Sequence, residues 1–140
     1  MYFEDCGLLD NVILPDGIEH IAMSTFRGCS NLRNIVIPES VIDLDVWAFA
    51  NCVNLEKITL PDSVSVLGYG TFAGCSSLKE IIIPRNSEHI CEEVFKNCTN
   101  LVKVVLHDNI KLICSSAFEN TPVEEQIKRD YAHLIEDDQK

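Results

Sequence analysis

Seven cysteines and four histidines are the residues in this chain best equipped for chemistry. A thiolate can attack a carbon centre or bind a soft metal, and an imidazole can move protons near neutral pH. Both roles need partners at particular spacings, and the cysteines lack them. There is no C-x-x-C, and no histidine extends a cysteine cluster at zinc spacing. Cys6, Cys29, Cys52, Cys75 and Cys98 instead recur every 23 residues. A shared phase implies a shared environment, and free cysteine is among the most buried residue types, so this column reads as packing. Cys91 and Cys114 share a second phase on adjoining copies. Stacked strands would set them about 4.8 Å apart, inside the disulfide range, although parallel side-chain directions count against a bond.

The other reactive groups are equally scattered. His20 and His89 share a phase, but lie three copies apart, about 14 Å by strand spacing, too far to cooperate directly. Asp16, Glu39 and Asp62 recur in phase, followed by Arg85 and Asp108. Stacked carboxylates could hold Ca²⁺, which takes oxygen ligands. A solvated turn column accounts for them without an ion and is the favoured reading. No G-x-S-x-G, H-E-x-x-H, Walker loop or dinucleotide fingerprint occurs. The expectation is no enzyme, no catalytic residue, no cofactor and no metal.

These residues are positioned by a repeat. The stretch IVIPESVIDLDVWAFANCVNLEK, residues 35–57, recurs as five copies starting at Val12, Ile35, Ile58, Ile81 and Val104. Leu32-x-x-Ile35-x-Ile37 ends in the period-two alternation of a short strand with one buried face. Pro38 follows; lacking an N–H for the ladder, it ends the strand. Leu44, Ala48, Phe49 and Cys52 fall at helical spacing, which predicts a short helix or 3₁₀ turn facing the same core. One strand and one turn cannot bury a face alone, whereas stacked copies can. Phe26, Phe49, Phe72, Phe95 and Phe118 should then form one interior spine.

The pattern Ala48-Phe49-x-x-Cys52-x-x-Leu55-x-x-Ile58-x-Leu60-Pro61-x-x-Val64-x-x-Leu67 resembles the BspA-like leucine-rich repeat. The resemblance covers residues 1 to about 121. It implies an α/β solenoid, with a parallel β-sheet on its concave side, and binding or adhesion rather than catalysis, commonly at the cell surface or in secreted proteins. The general rule for parallel crossovers makes the superhelix right-handed. The last copy departs from the pattern, with His107 for Pro and Thr121 for Cys, as suits a terminal rung.

The ends read differently from the middle. Tyr2-Phe3-x-x-Cys6-x-x-Leu9 matches Thr25-Phe26-x-x-Cys29-x-x-Leu32, so residues 1–11 form a partial repeat ahead of the five repeats of 12–121. This half-rung is either a natural cap or the edge of a longer array, and its exposed side offers a surface for homo-oligomer formation. Residues 122–140 read as a C-terminal capping helix and acidic tail. Thr121 would be the N-cap, Pro122 the first helical residue and Glu124 the capping-box partner. Val123, Ile127, Tyr131, Leu134 and Ile135 make its apolar stripe, and Glu136–Lys140 reads as frayed.

Charge narrows the partners. The 22 acidic and 11 basic residues give a net charge of −11. That disfavours nucleic acid and anionic membrane surfaces. No apolar run approaches the ~20 residues needed to span a bilayer, and MYFEDCGLLDN lacks the basic region and apolar core of a signal peptide. The expected site is instead the concave sheet face, taking a protein ligand. Alternation turns Ile13, Val36, Thr59, Ile82 and Val105 outward as a β-branched strip. Arg33, Glu56 and Lys79 stack beside it in one file, and Lys57, Glu80 and Lys103 in another, with signs alternating in each. The site residues are therefore Arg33, Val36, Lys57, Thr59, Lys79, Ile82, Lys103 and Val105. The rival expectation is a structural segment of a longer array with no binding site in these rungs.

Overall fold

Alternating β-branched residues can bury one edge of each strand only if successive copies stack, and the computed structural model, which describes residues 10–138, shows them stacked. Numbered along the chain, β1 (Asn11–Ile13), β3 (Asn34–Val36), β5 (Lys57–Thr59), β7 (Glu80–Ile82) and β9 (Lys103–Val105) begin successive rungs. Each is three residues long and parallel to its bonded neighbour, with Val12 opposite Ile35, Ile35 opposite Ile58, and Ile81 opposite Val104. The buried edge carries Leu32, Ile35 and Ile37 and, among the described residues, their counterparts in the other rungs, of which Val12, Val104 and Leu106 are half-buried.

A second parallel set runs beside the first. It comprises β2 (His20–Ile21), β4 (Asp43–Leu44), β6 (Val66–Leu67), β8 (His89–Ile90) and β10 (Leu112–Cys114). Leu44, expected on a helical turn, is therefore a strand residue. The reason lies in the inter-rung bonds: Ser65 N–H donates to Ile42 O at 2.7 Å and Gly68 N–H to Leu44 O at 2.8 Å. Extended backbone satisfies these groups between rungs, where a helix would satisfy them within one.

The remaining side of each rung is a run of turns rather than a helix. Two left-handed residues tighten it in each of the first four rungs, and one in the fifth. Gly28, Asn51, Gly74, Asn97 and Asn120 form one column, with φ between 59° and 77°. Ser24, Trp47, Gly70 and Glu93 form the other, with φ between 57° and 61°. Gly and Asn tolerate this region with least strain. At Gly74 there is a second constraint, since a Cβ would come within 2.1 Å of Asn51 Oδ1.

The turns are joined by their own ladder. Phe26, Phe49, Phe72 and Phe95 N–H donate to Ala48, Thr71, Val94 and Ala117 O at 2.8–2.9 Å. The five rings stack nearly parallel, with centroids 5.1, 5.6, 5.6 and 5.3 Å apart in order along the chain. Offset stacking of this kind adds to the stabilisation from burying each ring. Cys52, Cys75 and Cys98 Sγ donate to Phe26, Phe49 and Phe72 O at 3.0–3.1 Å, so the cysteine column closes the polar groups of the spine.

The C-terminal cap includes a helix, α1 (Glu124–Asp130), and a 3₁₀ turn (Ala132–Leu134). Its apolar stripe meets the core through buried Val123 and Ile127 and part-buried Tyr131, Leu134 and Ile135. The capping differs from the expectation. Val123 is the N-cap and makes no side-chain cap bond. Thr121 Oγ1 donates to Phe118 O, while Glu124 accepts from Asn120 N–H at 3.2 Å. Nor is the tail frayed through its whole length. β11 (Ile135–Glu136) pairs with Ile113 and Cys114, and Asp138 accepts from Ser116 Oγ and N–H. The partial repeat and Cys6 lie outside the described residues, apart from Asp10 and Asn11.

Candidate binding face

The outward face of β1, β3, β5, β7 and β9, with Arg33 and Lys79 immediately ahead of β3 and β7, gathers the expected site residues. Ile13 is 90% exposed, Val36 74%, Ile82 58% and Val105 39%, with Thr59 exposed between them. Of their immediate neighbours, Ile35, Ile58 and Ile81 are buried and Val12 and Val104 half-buried. The alternation expected from the sequence therefore holds through the strip.

The charge files are half formed. Arg33 Nη1 donates to Glu56 Oε1 at 3.2 Å, and Lys103 Nζ lies 3.8 Å from Glu80 Oε1. Glu56 does not meet Lys79, and Lys57 does not meet Glu80. Among the described residues, Lys57 and Lys79 have no ion-pair partner within 4.0 Å and no side-chain hydrogen bond.

The cause is a break between two rungs. The first set divides into β1-β3-β5 and β7-β9, and the second into β2-β4-β6 and β8-β10-β11. Both divisions fall between the third rung, which begins at β5, and the fourth, which begins at β7. At other junctions Ile83 N–H reaches Val105 O at 3.0 Å, Val102 N–H reaches Lys79 O at 3.0 Å, and Lys111 N–H reaches Glu88 O at 2.7 Å. Glu56 N–H to Arg33 O and Ser65 N–H to Ile42 O repeat the last two; their counterparts here would be Lys79 to Glu56 and Glu88 to Ser65, and neither forms, whereas the first has no counterpart at Leu14, Ile37 or Leu60. Each missing charge pair spans this seam, and each formed pair crosses an intact ladder. The expectation that every charge meets its opposite fails for that reason.

The seam is closed elsewhere. Phe72 stacks on Phe95, Gly74 N–H donates to Lys96 O at 2.8 Å, and Cys98 donates to Phe72 O. At the proline corner Arg85 N–H donates to Asp62 Oδ1 at 3.1 Å, and Ser87 Oγ to Val64 O at 2.7 Å. Both strand ladders lapse at this junction while β5 and β7 stay neighbours and the turns and one corner hold. A groove of about 480 Å³ runs along the seam on the outward face, lined by Glu56, Lys57, Thr59, Lys79, Glu80 and Ile82 among others, two basic and two acidic residues.

The reactive groups remain apart from this face. Burial pushes the thiols of Cys52 and Cys98 up to about 12 and that of Cys75 well above its ordinary value. Such thiols stay protonated and are poor nucleophiles. Cys91 and Cys114 are both free, and Cys114 Sγ donates to Glu92 Oε1 at 3.4 Å. His20 Nδ1 lies 2.9 Å from Asp43 Oδ1; that hydrogen bond, then the carboxylate's charge, raises its pKa. Asp62 of the acidic column accepts from Arg85 N–H, and Arg85 Nη2 lies 3.6 Å from Asp108. Among the described residues, no group of three or more His, Cys, Asp or Glu is placed to hold a metal ion.

Stacked parallel strands, a phenylalanine spine and a charged outward sheet face define a leucine-rich-repeat solenoid. The chain belongs to the BspA type leucine rich repeat region family, whose profile matches six copies over residues 1–124. A leucine rich cell surface protein from Faecalibacterium prausnitzii is similar at 32% identity and TM-score 0.76, over 79% of this chain and 29% of that one. A leucine-rich repeat protein from Bacteroides ovatus is similar at 29% identity and TM-score 0.66, over 86% of this chain and 37% of that one. The T. pallidum leucine rich repeat protein shares the fold at 22% identity and TM-score 0.72, over 99% of this chain and 77% of that one. Comparison with curated proteins returns no match.

Proposed function

We propose that this chain is a non-enzymatic binding module that takes a protein ligand on the outward face of β1, β3, β5, β7 and β9, as part of a cell-surface or adhesive protein. The observation that carries the reading is the exposed apolar strip of Ile13, Val36, Ile82 and Val105, framed by charged files. Strand propensity accounts for β-branched residues here. It does not require three of the five to stay more than half exposed on one face. An apolar centre with a charged rim is the anatomy of a protein interface, and solenoids bind through extended faces of this sort. The surface context comes from the cell-surface protein of Faecalibacterium prausnitzii, of which this chain spans only 29%. That same fraction favours a second reading, a structural segment whose ligand sits on other rungs of a longer array.

Ile82→Asp separates them. The residue is 58% exposed, so the change should lower stability by no more than about 1 kcal/mol. A partner captured by the immobilised chain should be lost with Ile82→Asp while the thermal melt barely moves. Undiminished capture by the variant would remove the strip from the site. A specific partner for the longer protein and none for this chain would favour the second reading.

A further inference from the structure

We infer that the seam between the third and fourth rungs is a latch, switched by which partners Glu56 and Glu80 take, and that it regulates the binding face; the regulatory part rests on the binding-module reading. Each carboxylate has a cation one rung away on both sides. Glu56 lies between Arg33 and Lys79 in one file, and Glu80 between Lys57 and Lys103 in the other. Both have taken the outer partner: Arg33 Nη1 is 3.2 Å from Glu56 Oε1, and Lys103 Nζ 3.8 Å from Glu80 Oε1. The inner partners, Lys57 and Lys79, are left over. Exposed ion pairs of this kind are weak and similar in strength, so exchanging one for the other costs little in either direction.

The backbone lapses at the same junction. Lys79 N–H does not reach Glu56 O, nor Glu88 N–H Ser65 O, although β5 and β7 remain neighbours. A carboxylate that turns inward draws the two edges together where those bonds would form. The turn side supplies a fixed axis for so small a movement: Phe72 N–H donates to Val94 O at 2.9 Å, and Gly74 N–H to Lys96 O at 2.8 Å. The opposite corner is tied through two side chains, Asp62 accepting from Arg85 N–H and Ser87 donating to Val64 O. Two states follow. With the outer pairs made, both ladders lapse, and Lys57 and Lys79 stand unpaired beside Thr59 and Ile82 in the groove. With the inner pairs made, the lysines are neutralised and both ladders run through. A ligand of this face that touches the two lysines therefore selects the first state, and the second state competes with it.

Amide hydrogen exchange on the whole chain, at low salt where exposed pairs count most, tests the latch without a ligand. Arg33→Gln/Lys103→Gln removes the outer partners and should slow exchange at Lys79 and Glu88 about fivefold, the scale of two exposed ion pairs. Glu88 is the decisive amide, because it lies on the second sheet, away from all four cations. Adding Lys57→Gln/Lys79→Gln removes the inner partners too and should return Glu88 to its original rate. The amides of Phe72 and Gly74, bonded across the same junction on the turn side, should not change in either variant. No slowing at Glu88, equal slowing at Phe72, or slowing that survives loss of the inner lysines would each overturn the latch. Partner capture lost with Ile82→Asp while Glu88 ignores every charge change would leave the binding-module reading standing as the latch fell. Glu88 responding as expected while Ile82→Asp captures the partner undiminished would keep the latch and remove its link to that face.

Discussion

At the scale of single residues, the cysteine column shows how a reactive group is kept inert by what it touches. Cys52, Cys75 and Cys98 are fully buried, and each donates to a phenylalanine carbonyl in the preceding rung. A thiolate there would lose its hydration and face that carbonyl oxygen, so the folded pKa rises, to about 12 for Cys52 and Cys98. The sign follows from linkage. Below the ordinary thiol value near 9.0 both folded and unfolded forms hold the proton, and this stability is fully present. From there to about 12 the unfolded chain loses protons that the folded chain keeps, so stability falls as pH rises. A series of melts from pH 8 upward should show a steep drop above pH 9, and Cys52→Ala/Cys75→Ala/Cys98→Ala should flatten it. A thiol reagent at pH 8 should leave these three unlabelled until the chain unfolds; fast native labelling of Cys75 would contradict the packing. The spine and this column were legible in the sequence because a buried position tolerates few residue types, and a repeat displays that restriction five times.

At the scale of elements, legibility depends on whether side chains or the backbone decide the structure. The odd strands, their phase and the outward strip follow from alternation in Leu32, Ile35 and Ile37. The even strands do not, because Asp43–Leu44 is too short for a period, and its bonds run to another rung. Gly28, Asn51, Gly74, Asn97 and Asn120 were a readable sign that the opposite side is left-handed turn rather than helix, since Gly and Asn are the residues that accept positive φ most easily. The outer column of Trp47 and Glu93 carried no such sign. The seam carried none either: β5 and β7 present the same buried columns as their neighbours, so no residue type announces it. It does predict a measurable pattern in amide exchange. Protection reports hydrogen-bonded, buried backbone. Lys79 and Glu88 should therefore exchange much faster than their counterparts Val102 and Lys111, which are bonded across intact junctions. Equal rates within each pair would mean that the ladders run unbroken.

At the scale of the whole molecule, a solenoid couples each rung only to its neighbours, so damage spreads as far as the weakest junction. Stacked phenylalanines, turn bonds and buried leucines link every pair of rungs, and the strand ladders add to them everywhere except at the seam. Each absent backbone bond would have contributed roughly 0.5–1.5 kcal/mol net, so the two counterparts named above weaken this junction by roughly 1–3 kcal/mol. Phe118 lies beyond it, next to the cap, and Phe118→Ala should cost about 3–5 kcal/mol. That loss should fall on β7 to β11 and α1, while β1 to β6 keep their protection. Phe72→Ala should behave differently. Its ring stacks on both Phe49 and Phe95, and the second of these contacts is part of what still holds the seam. It should cost a similar amount and raise exchange on both sides, whereas Lys79→Ala, on the exposed face, should stay within about 0.5 kcal/mol. Hydrogen exchange read by mass spectrometry on the three variants distinguishes two cooperative blocks from one. If Phe118→Ala accelerates exchange in β3 as much as in β9, the rungs unfold together, and the seam is too strong to divide them.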